Sequence, residues 1–340
     1  MLRLKRATVA SAGPADAMEQ RLGIEIDGER RAAIADVGLV GAAQVGDELI
    51  VNVEALDLRL GSGGFDVVHV NLTRGLGGHG TPDAHVMKLN YTSLQHAVVP
   101  LEQGDPGTAP PTPQLPLTRP VAVLALHGQL AALAWAFGRA REGGRLGYVQ
   151  TMGGALPGGH SCVVRDLREQ GLLAGHVTAG AAFGGADGDS LTTVAALHQG
   201  LTELGWDAVV AGPGPGILGS GSTLGHGGMQ ALDSAHAALA LGCRALLVAR
   251  MSSTDTRPRH QGLSHHTRAV LDLLLAPVNV ALPDGQQGLR DRHSWVVHEA
   301  DLEGYAASGL PTRSMGREDP LFFAAALAAG TALAQMAGSR

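Results

Sequence analysis

Between residues 255 and 268 the chain gathers Asp255, Arg257, Arg259, His260, His265, His266 and Arg268, so three imidazoles and three guanidiniums accompany one carboxylate. Arginine presents planar, fixed donors suited to carboxylate or phosphate. Histidine is the side chain whose ordinary titration lies near neutral pH. Ser264 is placed to cap a following helix, which puts His265 and His266 in its first turn and Thr267 at the third position. A helix N-terminus disfavours imidazolium, so these histidines are expected to be neutral and to act as donors, bases or metal ligands. A divalent metal is the rival occupant. Neighbours on a helix diverge by about 100°, making His265 and His266 a poor pair for one ion. One of them with His260, Asp255 and the distant His127 is the better metal set. A solvated surface loop with one packing histidine is the plain alternative. The density of imidazole and guanidinium favours a site.

A second stretch runs Gly212-Pro213-Gly214-Pro215-Gly216 and on through Gly219-Ser220-Gly221-Ser222-Thr223 to Gly228. Glycine lets backbone N–H groups approach an anion. The pattern is neither a P-loop nor a clean GxGxxG, and no lysine follows, so close packing of the connection is an equal reading. Other histidines weigh less. His79 and His85 precede Lys88 and Tyr91, and His298 with Glu299 reads as a strand end. No GxSxG elbow, HExxH or catalytic Cys–His pattern is present.

These loops need elements to hold them. From residue 121 onward, apolar runs at 121–126, 146–150, 176–178, 207–211, 245–249 and 277–282 alternate with helical patterns at 129–141, 161–170, 190–204, 229–241 and 265–275. Strands apolar on both faces and separated by helices predict an α/β fold, a doubly wound, mostly parallel sheet of Rossmann-like type. Ligands bind such sheets outside the carboxyl ends of the strands. The connections leaving the strands there are glycine-rich or polar, while those entering strands, such as Gly205-Trp206-Asp207, are short and plain. His127 leaves the first of these strands. Residues 1–100, with short alternating runs at 8–10, 23–26, 32–37, 48–53, 66–71 and 86–91, predict a small β-rich module. The proline-rich 101–120 reads as a linker or surface strap, and 121–340 as the α/β domain with a C-terminal helix opened by Asp319-Pro320.

Composition sets the outer bounds. The net charge is −6 and no long basic run occurs, which argues against a nucleic-acid partner. Cys162 and Cys243 are 81 positions apart without a CxxC, as expected of ordinary thiols in a reducing cytoplasm. The charged start, Met1-Leu2-Arg3-Leu4-Lys5-Arg6, has no apolar segment behind it, so no signal peptide is expected. The alanine-rich 321–338 is the sole candidate membrane span, and a core helix is the preferred reading.

The blocks Val45-Gly46-Asp47-Glu48 with Val51-Asn52, residues 58–64, residues 85–89 with Tyr91-Thr92, Tyr148 with Leu156-Pro157, Phe183-Gly184-Gly185, Gly214-Pro215-Gly216, Arg259-His260 and Ser264-His265-His266-Thr267 resemble an uncharacterised bacterial family, domain of unknown function 3866. The resemblance spans nearly the whole chain and implies no activity. The family pattern often carries a histidine where this chain has Ala181, and its acidic segment differs around Asp187.

The residues support two expectations. The first is an enzyme, a hydrolase or group transferase, acting on a small anionic metabolite, with a phosphorylated one among the candidates. Arg257 and Arg259 with Asp255, Ser264, His266 and Thr267 would form one wall, and backbone donors from Gly214, Gly216, Gly219 and Ser220 the other. His127, His260 or His265 would do the acid–base work. The second is a non-catalytic small-molecule sensor or assembly component. In either case the expected partner is a small anionic ligand, with no nucleic acid, no membrane and a homo-oligomeric assembly. No cofactor fingerprint is present, and a divalent metal stays open as an occupant.

Overall fold

The structure, a computed structural model, describes residues 1–16, 18–60, 63–105 and 107–339. Gly61 and Ser62 of the 58–64 block, Pro106 of the proline-rich stretch and Arg340 lie outside the described residues. The chain divides into two units, Met1–Val99 and Pro100–Arg340.

In the first unit, β1 (Leu4–Ala15), β2 (Glu19–Ile26), β3 (Glu29–Asp36), β4 (Glu48–Asn52) and β5 (Asp66–Asn71) close into a barrel in the order β1-β2-β3-β5-β4. Short helices α1 (Val37–Val40) and α2 (Glu54–Asp57) follow β3 and β4. The alternation in β2 and β4 turns Leu22, Ile24, Ile26, Leu49 and Val51 into a buried interior. A hairpin, β6 (Val86–Lys88) and β7 (His96–Val98), completes the unit. The 86–91 run therefore forms a strand over only its first half, and Leu89 and Tyr91 take left-handed φ values of 48° and 61° that end it.

The second unit is built on β8 (Pro120–Val123), β9 (Leu146–Thr151), β10 (Gly175–Ala179), β11 (Asp189–Ser190), β12 (Ala208–Pro213), β13 (Arg244–Val248), β16 (Asn279–Pro283) and β17 (Ser294–His298). They pair parallel throughout in the order β11-β10-β9-β12-β8-β13-β16-β17. The labels β14 (Met251–Ser252) and β15 (Gly262–Leu263) belong to a small antiparallel pair outside the sheet, and β18 (Arg313–Ser314) with β19 (Arg317–Glu318) to another. Helices α5 (Thr193–Thr202), α6 (Gln230–Ala240) and α7 (His265–Leu273) cover one face. Helices α3 (Leu130–Ala140), α4 (Cys162–Glu169), α8 (Leu302–Ala306) and α9 (Pro320–Gly338) cover the other. This is the doubly wound arrangement, with a separate apolar core on each side of the sheet.

The stretch after residue 100 is tied to this unit. Leu101 N–H donates to Asp189 (2.8 Å), Leu191 N–H to Glu102 (2.7 Å) and Leu117 N–H to the Leu241 carbonyl (3.0 Å). It is a strap along the α/β unit and not a free tether. Helix α9 is long and apolar enough to cross a membrane, but 67% of its most apolar window is buried inside the fold, as for a core helix. Asp319 caps it, accepting from Phe322 N–H, with Pro320 in the first turn.

Candidate functional site

The loops leaving β12 and β13 meet at the carboxyl end of the sheet around a cleft of about 220 Å³. One wall comes from the connection after β13. The β14–β15 pair and a single turn at Pro258–His260 fold it back on itself. Ser264 then caps α7 as its sequence position predicts, accepting from His266 N–H at 3.3 Å. Thr267 points away from the cleft and fastens the helix to the strand end, its Oγ1 accepting from Arg250 N–H at 2.8 Å. The wall thereby presents Arg250, Arg257, Arg259, His260, His265 and His266.

The opposite wall comes from the loop after β12, whose glycines divide into two groups. A Cβ on Gly214 would lie 2.3 Å from the Ala155 carbonyl, and one on Gly227 would lie 1.9 Å from the Gly153 carbonyl. Those glycines permit backbone-on-backbone packing with the loop after β9. Gly219 and Gly221 instead line the cleft. Gly216 takes a left-handed φ of 74° and is not among the lining residues. Ser220 holds the turn, donating to the Gly225 carbonyl at 2.9 Å and meeting Ser222 Oγ at 3.0 Å. The same turn pairs Gly219 with His226 and swings His226 into the cleft. His226 carries no signal in the local sequence beyond being a histidine in a glycine-rich loop at the ligand edge.

Asp255 is fully buried and is the anchor of the cationic wall. Arg257 grips it in bidentate fashion, Nε to Oδ1 at 2.9 Å and NH2 to Oδ2 at 2.8 Å. Arg317 reaches Oδ2 at 3.0 Å and Arg250 at 3.8 Å. The Arg257 hydrogen bonds hold the carboxyl far below the ordinary carboxylate range despite burial, which acts the other way. Burial, then repulsion from Arg257, draws Arg250 down to about 10, still protonated at neutral pH. Three guanidiniums thus surround one carboxylate. Neither Arg250 nor Arg317 is singled out by the sequence, since the first reads as a strand end and the second lies 62 residues from Asp255.

The imidazoles fall into two kinds. Arg250 donates to His266 Nδ1 at 2.7 Å, which leaves the proton on Nε2. Arg259 Nε donates to His260 Nε2 at 3.4 Å, and His260 Nδ1 donates to Ser264 Oγ at 2.8 Å. Both rings therefore have their lone pair committed to a guanidinium. Burial and then Arg250 lower both, His260 to about 3. By contrast, both ring nitrogens of His226 and Nε2 of His265 are buried without a hydrogen bond of good geometry, although the Thr223 carbonyl exerts a weak pull on His226. Burial is the leading cause that holds these two below the ordinary value as well.

Nitrogens of His226, His265 and His266 lie within 4.8 Å of one another, close enough on distance alone for a metal. His265 and His266 are nearer than their angular spacing on the helix predicts, with ring centroids 4.4 Å apart. The geometry nevertheless fits an ion poorly. The rings of His226 and His266 stack at 3.5 Å and 12°, so their in-plane lone pairs do not converge on a point. The Arg250 donation occupies His266 Nδ1, and the surplus of guanidinium repels a cation.

His127 lies elsewhere on the same sheet edge. Its Nδ1 meets the Pro213 carbonyl and Tyr148 Oη, each at 3.2 Å, and its Nε2 accepts from Ser161 Oγ at 2.8 Å. Tyr148 in turn stacks on His176, which donates to Gln150 Oε1 at 3.2 Å. Of the sequence-predicted residues, the structure brings Arg257, Arg259, His260, His265, His266 and Gly219 to one cleft, with Asp255 and Ser264 behind it. His127, Gly214, Gly216, Ser220 and Thr267 are not among the residues that line it.

The family model described as "Protein of unknown function (DUF3866)" matches residues 32–330. Neither the curated proteins nor the solved structures give a significant match.

Proposed function

The chain belongs to the DUF3866 family, and from that premise we propose that the cleft binds a small anionic metabolite and catalyses its hydrolysis or a group transfer from it. One observation carries this reading: the loops after β12 and β13 direct four imidazoles and three guanidiniums into one cleft at the carboxyl end of a parallel sheet. Arg259 and Arg257 are the anion-holding groups, with Arg257 steadied by Asp255. His265, with its free Nε2, is the acid–base group, and His226 is its partner across the cleft at a centroid distance of 5.7 Å. His260 and His266 act as positioning residues, because their lone pairs are already engaged.

That engagement also favours a second reading, a non-catalytic sensor, since it leaves few groups free to move protons. The negative net charge and the two cysteines set 81 positions apart without a CxxC support a cytoplasmic protein without a nucleic-acid partner, and a homo-oligomer is the assembly we propose. Turnover across a panel of phosphorylated and carboxylated metabolites separates the two readings. The enzyme reading expects turnover that His265→Asn abolishes while binding is weakened but not lost. Tight binding of a metabolite with no turnover would establish the sensor.

A further inference from the structure

Resting on the reading of this cleft as an anion site, we propose that the group it takes is a tetrahedral oxyanion dianion, the phosphoryl group of a metabolite, and that its binding places a proton on the His226–His265 pair.

The charges around the cleft set the valence. Arg250, Arg257 and Arg317 engage Asp255, the one carboxylate among the described residues that pairs with them, and Arg259 lines the same cleft. The formal surplus is three positive charges in a partly buried place. A monocarboxylate offsets one of these and a phosphoryl dianion two. Desolvated charge of one sign is costly, so the dianion is the better complement.

The donor directions set the shape. The rings of His226 and His265 meet edge-on at 76°, and Arg259, from the turn at Pro258–His260, lines the same cleft. A planar carboxylate accepts hydrogen bonds largely within one plane, whereas a phosphoryl group accepts them around a tetrahedron. Donors that do not share a plane fit the second.

The unpartnered nitrogens set the proton. His226 is 9% exposed and lines the cleft with both ring nitrogens unsatisfied, as is Nε2 of His265. A buried polar atom without a partner costs free energy, and an oxyanion oxygen would supply the partner. A neutral ring offers one N–H, and a protonated ring offers two. His226 faces His265, His266 and Arg250, while His265 faces His226, His260, His266, Arg250, Arg257 and Arg259. Burial, then nearby positive charge, disfavours the imidazolium at both rings. A dianion offsets two of those three charges and sets negative oxygens against the ring nitrogens, which favours the imidazolium. No bond is made or broken in this step; a proton passes from solvent to a ring nitrogen.

Calorimetry with the full chain tests this, using sulfate, inorganic phosphate and acetate in buffers of differing ionisation enthalpy. Sulfate keeps its double charge across the working pH range, so any proton taken up belongs to the protein. The expected result is sulfate and phosphate binding at least tenfold tighter than acetate. Sulfate should bind with net proton uptake and with affinity rising as pH falls from 8 to 6. His226→Asn and His265→Asn should each weaken sulfate binding about tenfold and remove the uptake, with an unchanged circular dichroism spectrum. Sulfate binding without proton uptake would overturn the proposal. So would tighter binding of acetate, an outcome that leaves the anion-metabolite reading standing. Stoichiometric binding of Co²⁺ or Zn²⁺ that His226→Asn abolishes would also overturn it. If none of the three anions binds and the metabolite panel is also blank, both readings fall.

Discussion

Two groups of histidines stand at the same edge of one sheet and differ in a single respect. In the group around His127, the ring nitrogens bond to neutral partners: a carbonyl, a phenol, a serine or a side-chain amide. In the group around His226, two rings are held by guanidiniums and two have nitrogens with no partner. Burial depresses protonation in both, to about 4 at His127 and about 3 at His176 and His260. A lowered proton affinity is therefore not what distinguishes a site from a scaffold. The unsatisfied donors and acceptors, and the surplus of charge beside them, make that distinction.

The comparison breaks first at Asp255. Replacing it with Asn leaves Arg250 buried and two further guanidiniums without their counter-charge. We expect a loss of about 3–5 kcal/mol in urea unfolding. A loss below about 1 kcal/mol would mean the cationic wall is not organised around this carboxylate.

The next effect is acid sensitivity from the scaffold group. The folded protein holds His127 at about 4, against an unfolded value of about 6.5. The folded state binds this proton less readily than the unfolded chain, so the contribution is intact above about 6.5 and disappears as pH falls toward 4. That amounts to about 3 kcal/mol for this ring. Denaturation midpoints measured between pH 8 and 4 should stay level and then fall. His127→Gln should flatten the acid limb.

Much of this fold is legible in the residues. Valine, leucine and alanine runs such as β8 and β12 have no polar face, which only a sheet covered on both sides accommodates. Within the large sheet, β11, which is two residues long, escapes detection, and of the half-exposed edge strand β17 only the end at His298 is read. The contiguous wall of the site was legible, and of the opposite wall the glycine-rich loop with Gly219, but not His226. His226 reaches it from a loop 39 residues before His265, and periodicity says nothing about which distant loops meet. His127 was drawn in by its place at a strand end, yet Ser161 and Tyr148, on neighbouring elements, bond to it. Sequence position gave the edge of the sheet but not the partners.

A smaller effect sharpens the division. Ser161→Ala removes both the cap of α4 and the partner of His127, and should cost about 2 kcal/mol without altering sulfate affinity. His226→Asn should do the reverse, losing sulfate affinity with a stability change below about 1 kcal/mol. Paired unfolding and titration curves on the two variants check both halves.

The smallest effect distinguishes the glycines. A Cβ on Gly219 would meet only His226 Cβ at 3.8 Å, an ordinary contact, and its φ lies outside the left-handed region. Gly219→Ala should change stability by less than about 0.5 kcal/mol, while Gly227→Ala, which collides with the Gly153 carbonyl, should fold poorly. Thermal unfolding of the two variants decides this.

The most direct test is an imidazole ¹⁵N NMR titration of the full chain between pH 5 and 8, with and without sulfate. Sulfate should move the resonances of His226 and His265 toward the protonated form and leave His127 and His176 neutral and unshifted. Movement of His127 or His176 with no change at His226 and His265 would contradict it.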